Sequence, residues 1–170
     1  MPSLAQLNAL DCAAFTAALG HLFEHSPWVA EATWPRRPFA NAETLHAALC
    51  TAMRAAPRDR QLALIRAHPD LAGRLAQQSK LTAESAHEQA SAGLSQLAAA
   101  ELSEFQTLNA AYLARFSFPF IICARLNSRA TILSAMHSRI ANSSDVEFAT
   151  ALAEIEKIAR LRLGDFLKPD

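Results

Sequence analysis

Residues 98–127 read AAAELSEFQTLNAAYLARFSFPFIICARLN, and the stretch changes character partway along. From Ala98 to Phe116, the side chains of Leu102, Phe105, Leu108, Ala111, Tyr112 and Phe116 recur at helical spacing, which predicts a long amphipathic helix. SFPFIICARLN then breaks that period. Aromatic and β-branched residues crowd around Pro119, so this part reads as extended and buried. Hydrophobic residues make up 51% of the 170, and only four glycines are present, a composition that favours helices over strands. The expected fold is all-α: a multi-helix bundle with one short extended segment near FPFII. A chain this long buries roughly 70% of its unfolded surface, enough for one core, so residues 1–170 are expected to form a single domain.

Proline and cap residues divide the rest into helices. Ser3 heads a short turn, and Asp11 caps a helix over CAAFTAALGHLFEH. Ser26-Pro27 opens WVAEATW, with proline at the first helical position. Pro35 and Pro38 make PRRPFANAE a loop, after which Asn41 caps AETLHAALCTAMRAA. Pro57 opens RDRQLALIRAH, which must stop at His68, because Pro69 disfavours the α region for the residue before it. PDLAGRLAQQ follows as a short helix or turn, and Thr82 caps a helix ending near Gly93. Two helices close the chain, over RATILSAMHSRIA and from a Ser144 cap onward. The second is expected to carry Val146, Ala149, Leu152, Ile155, Ile158 and Leu161 on its apolar stripe.

Sixteen basic residues balance sixteen acidic ones with no long run of either sign, which argues against nucleic acid as a partner. Cys12, Cys50 and Cys123 are odd in number and sit in apolar helical context, as buried reduced thiols would. No stretch reaches the roughly 18 apolar residues of a membrane span, and no secretory signal is seen at the N-terminus. The chain ends in LGDFLKPD rather than an SKL-type peroxisomal signal, so a cytoplasmic protein of bacterial type is expected.

Three features carry candidate chemistry. His68, pinned before Pro69, is either a plain helix-terminal histidine or an acid/base group, its charge changing near neutrality. Ser85, Glu88 and Gln89 stand at i, i+3 and i+4 and share one helix face. That face is either a solvated polar surface continuing through Glu84 and His87, or one wall of a ligand site next to the small residues Ala90, Ser91, Ala92 and Gly93. The extended FPFIICAR offers backbone donors that helices consume, and Arg125 beside it suits a carboxylate or urea-like group, unless the segment is simply a buried connector. Two other readings compete with an enzyme built on these residues. His21, Glu24 and His25 match H-x-x-E-H, the pattern of a zinc hydrolase. Alternatively Trp28, Trp34 and Phe39 form the face of a noncatalytic protein-binding module.

Together FEHSPWVAE (23–31), RPFAN (37–41), AHPDLAG (67–73), LTAES-x-x-EQASAGL (81–94), LNAAYLARFSFPFIICAR (108–125) and EFATALAEIEKIARLRLGD (147–165) resemble the 2-oxo-4-hydroxy-4-carboxy-5-ureidoimidazoline (OHCU) decarboxylases. The resemblance spans nearly the whole chain. It implies an all-α homodimer without metal or organic cofactor, acting on a small-molecule substrate in urate degradation to give (S)-allantoin. By position it implies catalytic roles for His68 and Glu88, substrate contacts from Ser85, Gln89 and Arg125, main-chain contacts from Phe120, Ile121 and Ile122, and a pocket-shaping Pro69. A basic residue common in the family between Ser85 and Glu88 is His87 here. The chemistry needs no cofactor, because the substrate's own ring C=N bond accepts the electron pair that departing CO₂ leaves behind.

Overall fold

The computed structural model describes residues 1–73 and 81–168; the second half of PDLAGRLAQQ lies outside the described residues. Among the described residues there are helices and turns and no strand, so the protein is all-α as expected. Two compact units are present.

The first unit comprises Met1–Ala67 and Ile155–Asp170. Helix α1 (Leu4–Ala9) is held by a reciprocal cap in which the Ser3 hydroxyl accepts from the Gln6 N–H and Gln6 Oε1 accepts from the Ser3 N–H. Asp11 caps α2 (Cys12–Leu19) as expected, accepting the Ala14 N–H at 2.8 Å. That helix is shorter than its sequence period implies, because it tightens into a 3₁₀ turn at Gly20–Leu22 and the chain then reverses through His25 at φ 46°. Gly20 permits the reversal: a Cβ there would sit 3.0 Å from Pro27 Cβ. Pro27 takes the cap position of α3 (Trp28–Thr33) rather than its first helical position. A 3₁₀ turn over Trp34–Arg36 leads to α4 (Ala42–Ala55), where Asn41 accepts the Thr44 N–H at 2.8 Å, and then to α5 (Arg58–Ala67). The backbone ends of this unit meet, with the Lys168 N–H donating to the Pro2 carbonyl at 3.0 Å.

The second unit comprises His68–Glu154. Thr82 caps α6 (Ala83–Ser91) through the Ser85 N–H, and Gly93 at φ 76° follows its end. Helix α7 (Ala99–Phe116) buries Phe105, Leu108, Asn109, Tyr112 and Phe116, while Ala111, expected on that face, is exposed. Ser117 stops it in the left-handed conformation at φ 61°, its N–H returning to the Leu113 carbonyl at 2.8 Å. The run beyond is buried and outside any helix, and Cys123 at its end is extended at φ −69°, ψ 93°. Because alternate residues of an extended chain share a side, Phe118 and Phe120 both reach Tyr112, with ring centroids 6.1 and 5.2 Å away. A 3₁₀ turn at Ala124–Leu126 precedes α8 (Arg129–Arg139), capped by Ser128.

The last helix, α9 (Ser144–Phe166), begins in this unit. Its first residue is Ser144, and the cap is Ser143, whose hydroxyl accepts the Val146 N–H at 3.3 Å; the expected cap was one residue late. The buried stripe runs through Phe148, Ala151, Leu152, Ile155, Ile158, Ala159 and Leu163, with Val146 51% exposed. A strict three-residue repeat loses about 60° per step against a 3.6-residue turn. Hence only Leu152, Ile155 and Ile158 of the expected stripe stay on the buried face.

Candidate functional site

His68 begins the turn His68-Pro69-Asp70-Leu71-Ala72-Gly73 directly after α5, where Pro69 denies the helix its next amide donor. The Gly73 N–H closes the turn on the Asp70 carbonyl at 3.3 Å, and Ala72 is left-handed at φ 49°. Glycine is required at position 73, since a Cβ would lie 2.5 Å from Asp70 Cβ. Burial pushes the Asp70 carboxyl above its ordinary value. His68 is itself 7% exposed, well inside for a titratable ring.

Orientation argues against a solvated polar surface on this face of α6. Ser85, Glu88 and Gln89 are 2, 8 and 6% exposed, whereas His87 on the same helix is exposed, so the i, i+3, i+4 triplet faces inward. Gln89 joins this face to the His68 turn: Oε1 accepts the Ala72 N–H at 2.9 Å and Nε2 donates to the Asp70 carbonyl at 3.3 Å. An amide has two donor hydrogens, so one N–H of Nε2 remains beyond the bond to Asp70. Asn109 of α7 holds the same turn, donating to the Leu71 carbonyl at 2.9 Å. Packed against α6 is the 3₁₀ turn that carries Arg125, half-buried, at the end of the extended segment. Phe120, Ile121 and Ile122 are buried there, and no hydrogen bond to the Ile122 peptide group forms among the described residues. Pro69 lies half-buried beside His68.

Behind the extended segment stands a buried polar network. Glu147 of α9 receives Arg139 Nη2 at 2.8 Å, Asn142 Nδ2 at 2.7 Å and the Tyr112 hydroxyl. Burial alone would push the Glu147 carboxyl up, but hydrogen bonds from Arg139, Tyr112 and Asn142, with the arginine charge, outweigh it and hold the group below the usual range. Tyr112 is pushed well up, by burial first and by Glu147 second. Arg139 Nη1 goes on to the Ile121 carbonyl at 2.9 Å, and the guanidinium lies 4.3 Å from the Phe120 ring centroid. One residue further along, the Cys123 N–H donates to Glu154 Oε2 at 2.8 Å.

Sequence reasoning missed Asn109, Arg139, Glu147 and Glu154 as site-supporting residues. A signal existed for three of them, since Asn109 falls in register with Phe105 and Tyr112, and Glu147 and Glu154 flank apolar positions on the buried face of α9.

The competing sites fare differently. His21, Glu24 and His25 do not share a helix, His25 is exposed, and Glu24 is bound by both Arg162 Nη atoms at 3.1 Å. Among the described residues no cluster of three or more His, Cys, Asp or Glu is arranged for a metal. Trp34 donates to the Leu10 carbonyl at 3.1 Å under the guanidinium of Arg37, Trp28 lies against Arg60, and Phe39 is buried on Phe15. Phe39 thus belongs to the core of the first unit, while Trp28 and Trp34 are half-buried and partnered by arginine side chains.

Comparison with known proteins points to one family. A family model described as OHCU decarboxylase matches residues 8–164. The chain is 44% identical over 163 residues to the 2-oxo-4-hydroxy-4-carboxy-5-ureidoimidazoline decarboxylase of Halalkalicoccus jeotgali, covering 96% of this chain and 90% of that one. To the Mus musculus protein of the same name it is 42% identical over 164 residues, covering 96% and 92%. Among solved structures it resembles (S)-allantoin synthase, with a TM-score of 0.80 and 29% identity over 99% of this chain; it spans 54% of that chain's length. The matched span and the identities along nearly full-length relatives establish that this chain belongs to the OHCU decarboxylase family.

Proposed function

We propose that the protein decarboxylates OHCU to (S)-allantoin in urate degradation, with residues 1–170 acting as one catalytic domain. The observation that carries this reading is the inward convergence, within one unit, of the His68 turn and the Ser85-Glu88-Gln89 face, joined by Gln89. Family membership supplies the substrate.

When CO₂ leaves, its bonding pair moves into the ring and the nitrogen of the adjacent C=N takes up the charge. The ring hydroxyl loses its proton as it becomes a carbonyl, and a proton enters on one face of the ureido-bearing carbon. From the carboxylate form, one proton is consumed per CO₂ released. His68 handles the proton transfer at the ring hydroxyl, and Glu88 orients the imidazole. Ser85, Gln89 and Arg125 hold the carboxylate, ureido and carbonyl groups, with main-chain groups of Phe120, Ile121 and Ile122 completing the cradle and Pro69 shaping it. What supports these roles is the burial of His68, Ser85 and Glu88 and the spare hydrogen on Gln89. A homodimer, working in the cytoplasm without a cofactor, belongs to the same proposal and is supported by the family resemblance.

The test is stereochemical. Freshly generated OHCU is supplied to the protein and circular dichroism followed as the product forms. Accumulation of (S)-allantoin faster than the spontaneous rate supports the proposal, and racemic product at the uncatalysed rate overturns it.

A further inference from the structure

Two ionic groups behind the extended segment fasten alternate peptide groups of it, and we infer that Arg139 and Glu154 are positioning residues that aim the Ile122 amide into the substrate site. The inference rests on the reading that the main chain of Phe120–Ile122 binds substrate, and it adds what sets the direction of that main chain.

In an extended backbone, the N–H and C=O groups of residues i and i+2 point to one side and those of residue i+1 to the other. The Ile121 carbonyl is taken by Arg139 Nη1 at 2.9 Å, and the Cys123 N–H by Glu154 Oε2 at 2.8 Å. Both therefore point toward α8 and α9. The peptide N–H and C=O of Ile122, between them, point away, and no hydrogen bond to them forms among the described residues although Ile122 is buried. A backbone donor left unpaired in a buried residue, between two satisfied neighbours, is available to a ligand.

The clamp is held firmly at its Arg139 end. Arg139 cannot swing, because Glu147 holds its Nε at 3.1 Å and Nη2 at 2.8 Å while Phe120 covers its face. Glu147, fully buried, is in turn fixed by Tyr112 and Asn142. Glu147 and Glu154 lie seven residues apart on α9, a spacing that returns to within about 20° of the same helix face. A single helix thus presents both anchors, one directly and one through Arg139. Charge strengthens both anchors, since a carboxylate on an N–H and a guanidinium on a carbonyl are the stronger class of hydrogen bond and resist rotation of the peptide planes.

Amide hydrogen exchange on ¹⁵N-isoleucine- and ¹⁵N-cysteine-labelled wild-type protein, with and without (S)-allantoin, is the first arm. The expected result is a Cys123 amide already protected in the free protein and an Ile122 amide protected only when allantoin is bound. An Ile122 amide protected equally in both states overturns the inference. The second arm is kinetic. Glu154→Leu removes the acceptor at similar volume and is expected to raise KM for OHCU roughly tenfold, with a smaller change in kcat, while Glu154→Gln, which keeps a carbonyl acceptor, recovers most of the loss. Arg139→Lys, which cannot hold Glu147 and Ile121 together, is expected to raise KM similarly and supplies the readout if Glu154→Leu does not fold. Unchanged KM in a folded variant sinks the inference while wild-type turnover stands. Absence of wild-type turnover sinks the underlying reading instead.

Discussion

The side chain of Gln89 reaches back seventeen residues to accept the N–H of Ala72 at 2.9 Å, and so fixes the turn that begins at His68 against helix α6. Ala72 is the left-handed residue of that turn, at φ 49°, a conformation that costs a non-glycine residue about 1 kcal/mol. The hydrogen bond sits where the backbone most needs holding.

Gln89→Leu should therefore remove the bonds to the Ala72 N–H and the Asp70 carbonyl and lower stability by about 1–3 kcal/mol. For a chain of this size that corresponds to a melting point lower by roughly 2–10 °C. Because His68 rides on the same turn, kcat/KM should fall by at least about tenfold, read at a temperature where the variant is fully folded. Activity that survives intact in a destabilised protein would separate the turn from the chemistry.

His68→Asn keeps a polar side chain of similar shape and removes the titrating ring. Turnover is expected to fall about 10²–10⁴-fold with the circular dichroism of the helices unchanged. Glu88→Gln should slow turnover less while leaving (S)-allantoin affinity within about twofold of wild type, as an orienting residue would. Steady-state kinetics and equilibrium titration with allantoin check the pair, and normal kcat in either variant removes that residue from the mechanism.

At Gly73 the prediction is steric. A Cβ would stand 2.5 Å from Asp70 Cβ and 3.2 Å from the Asp70 carbonyl oxygen, so Gly73→Ala must open the turn. A cost of about 1–3 kcal/mol is expected, typical of forced overpacking, together with a fall in kcat larger than the fall in stability implies. Differential scanning calorimetry beside kinetics distinguishes the two.

Glu147 makes a pH prediction whose sign follows from its depressed pKa. Relative to an unfolded value of 4.5, the folded carboxylate is stabilised, so its contribution is complete above that pH and is lost as pH falls through the lower folded value. Asp70, raised by burial, works in the opposite direction at acid pH and softens the net slope. Glu147→Gln leaves the Arg139 charge uncompensated and should cost about 3 kcal/mol at pH 7. The wild-type and variant stability curves should converge below pH 4.5, as measured by urea denaturation across pH; parallel curves would contradict the assignment.

What the sequence made legible was local chemistry. Asp11, Asn41 and Thr82 cap helices where they stand because a cap needs only a short acceptor and the amide three residues on. Ser143 and Ser144 are chemically equal as caps, and only the backbone path chooses between them. The α6 triplet was visible as a shared face, but its inward orientation depends on what packs against the helix. Arg139, Glu147 and Glu154 were hidden for a different reason. Charged residues on helices normally face solvent, and their burial here becomes apparent only once α8, α9 and the extended segment are brought together. The Gln89 amide also serves two backbone groups of the same unit, contacts that no spacing rule encodes.

The contact between the Lys168 amide and the Pro2 carbonyl makes chain order a separable property of this protein. A circular permutant joining Pro2 to Lys168 through a brief linker and opening at the exposed Ser95–Gln96 junction, outside any helix, should still yield a folded product. An affinity handle attached beside either of these two residues would also emerge from one locality of the first unit.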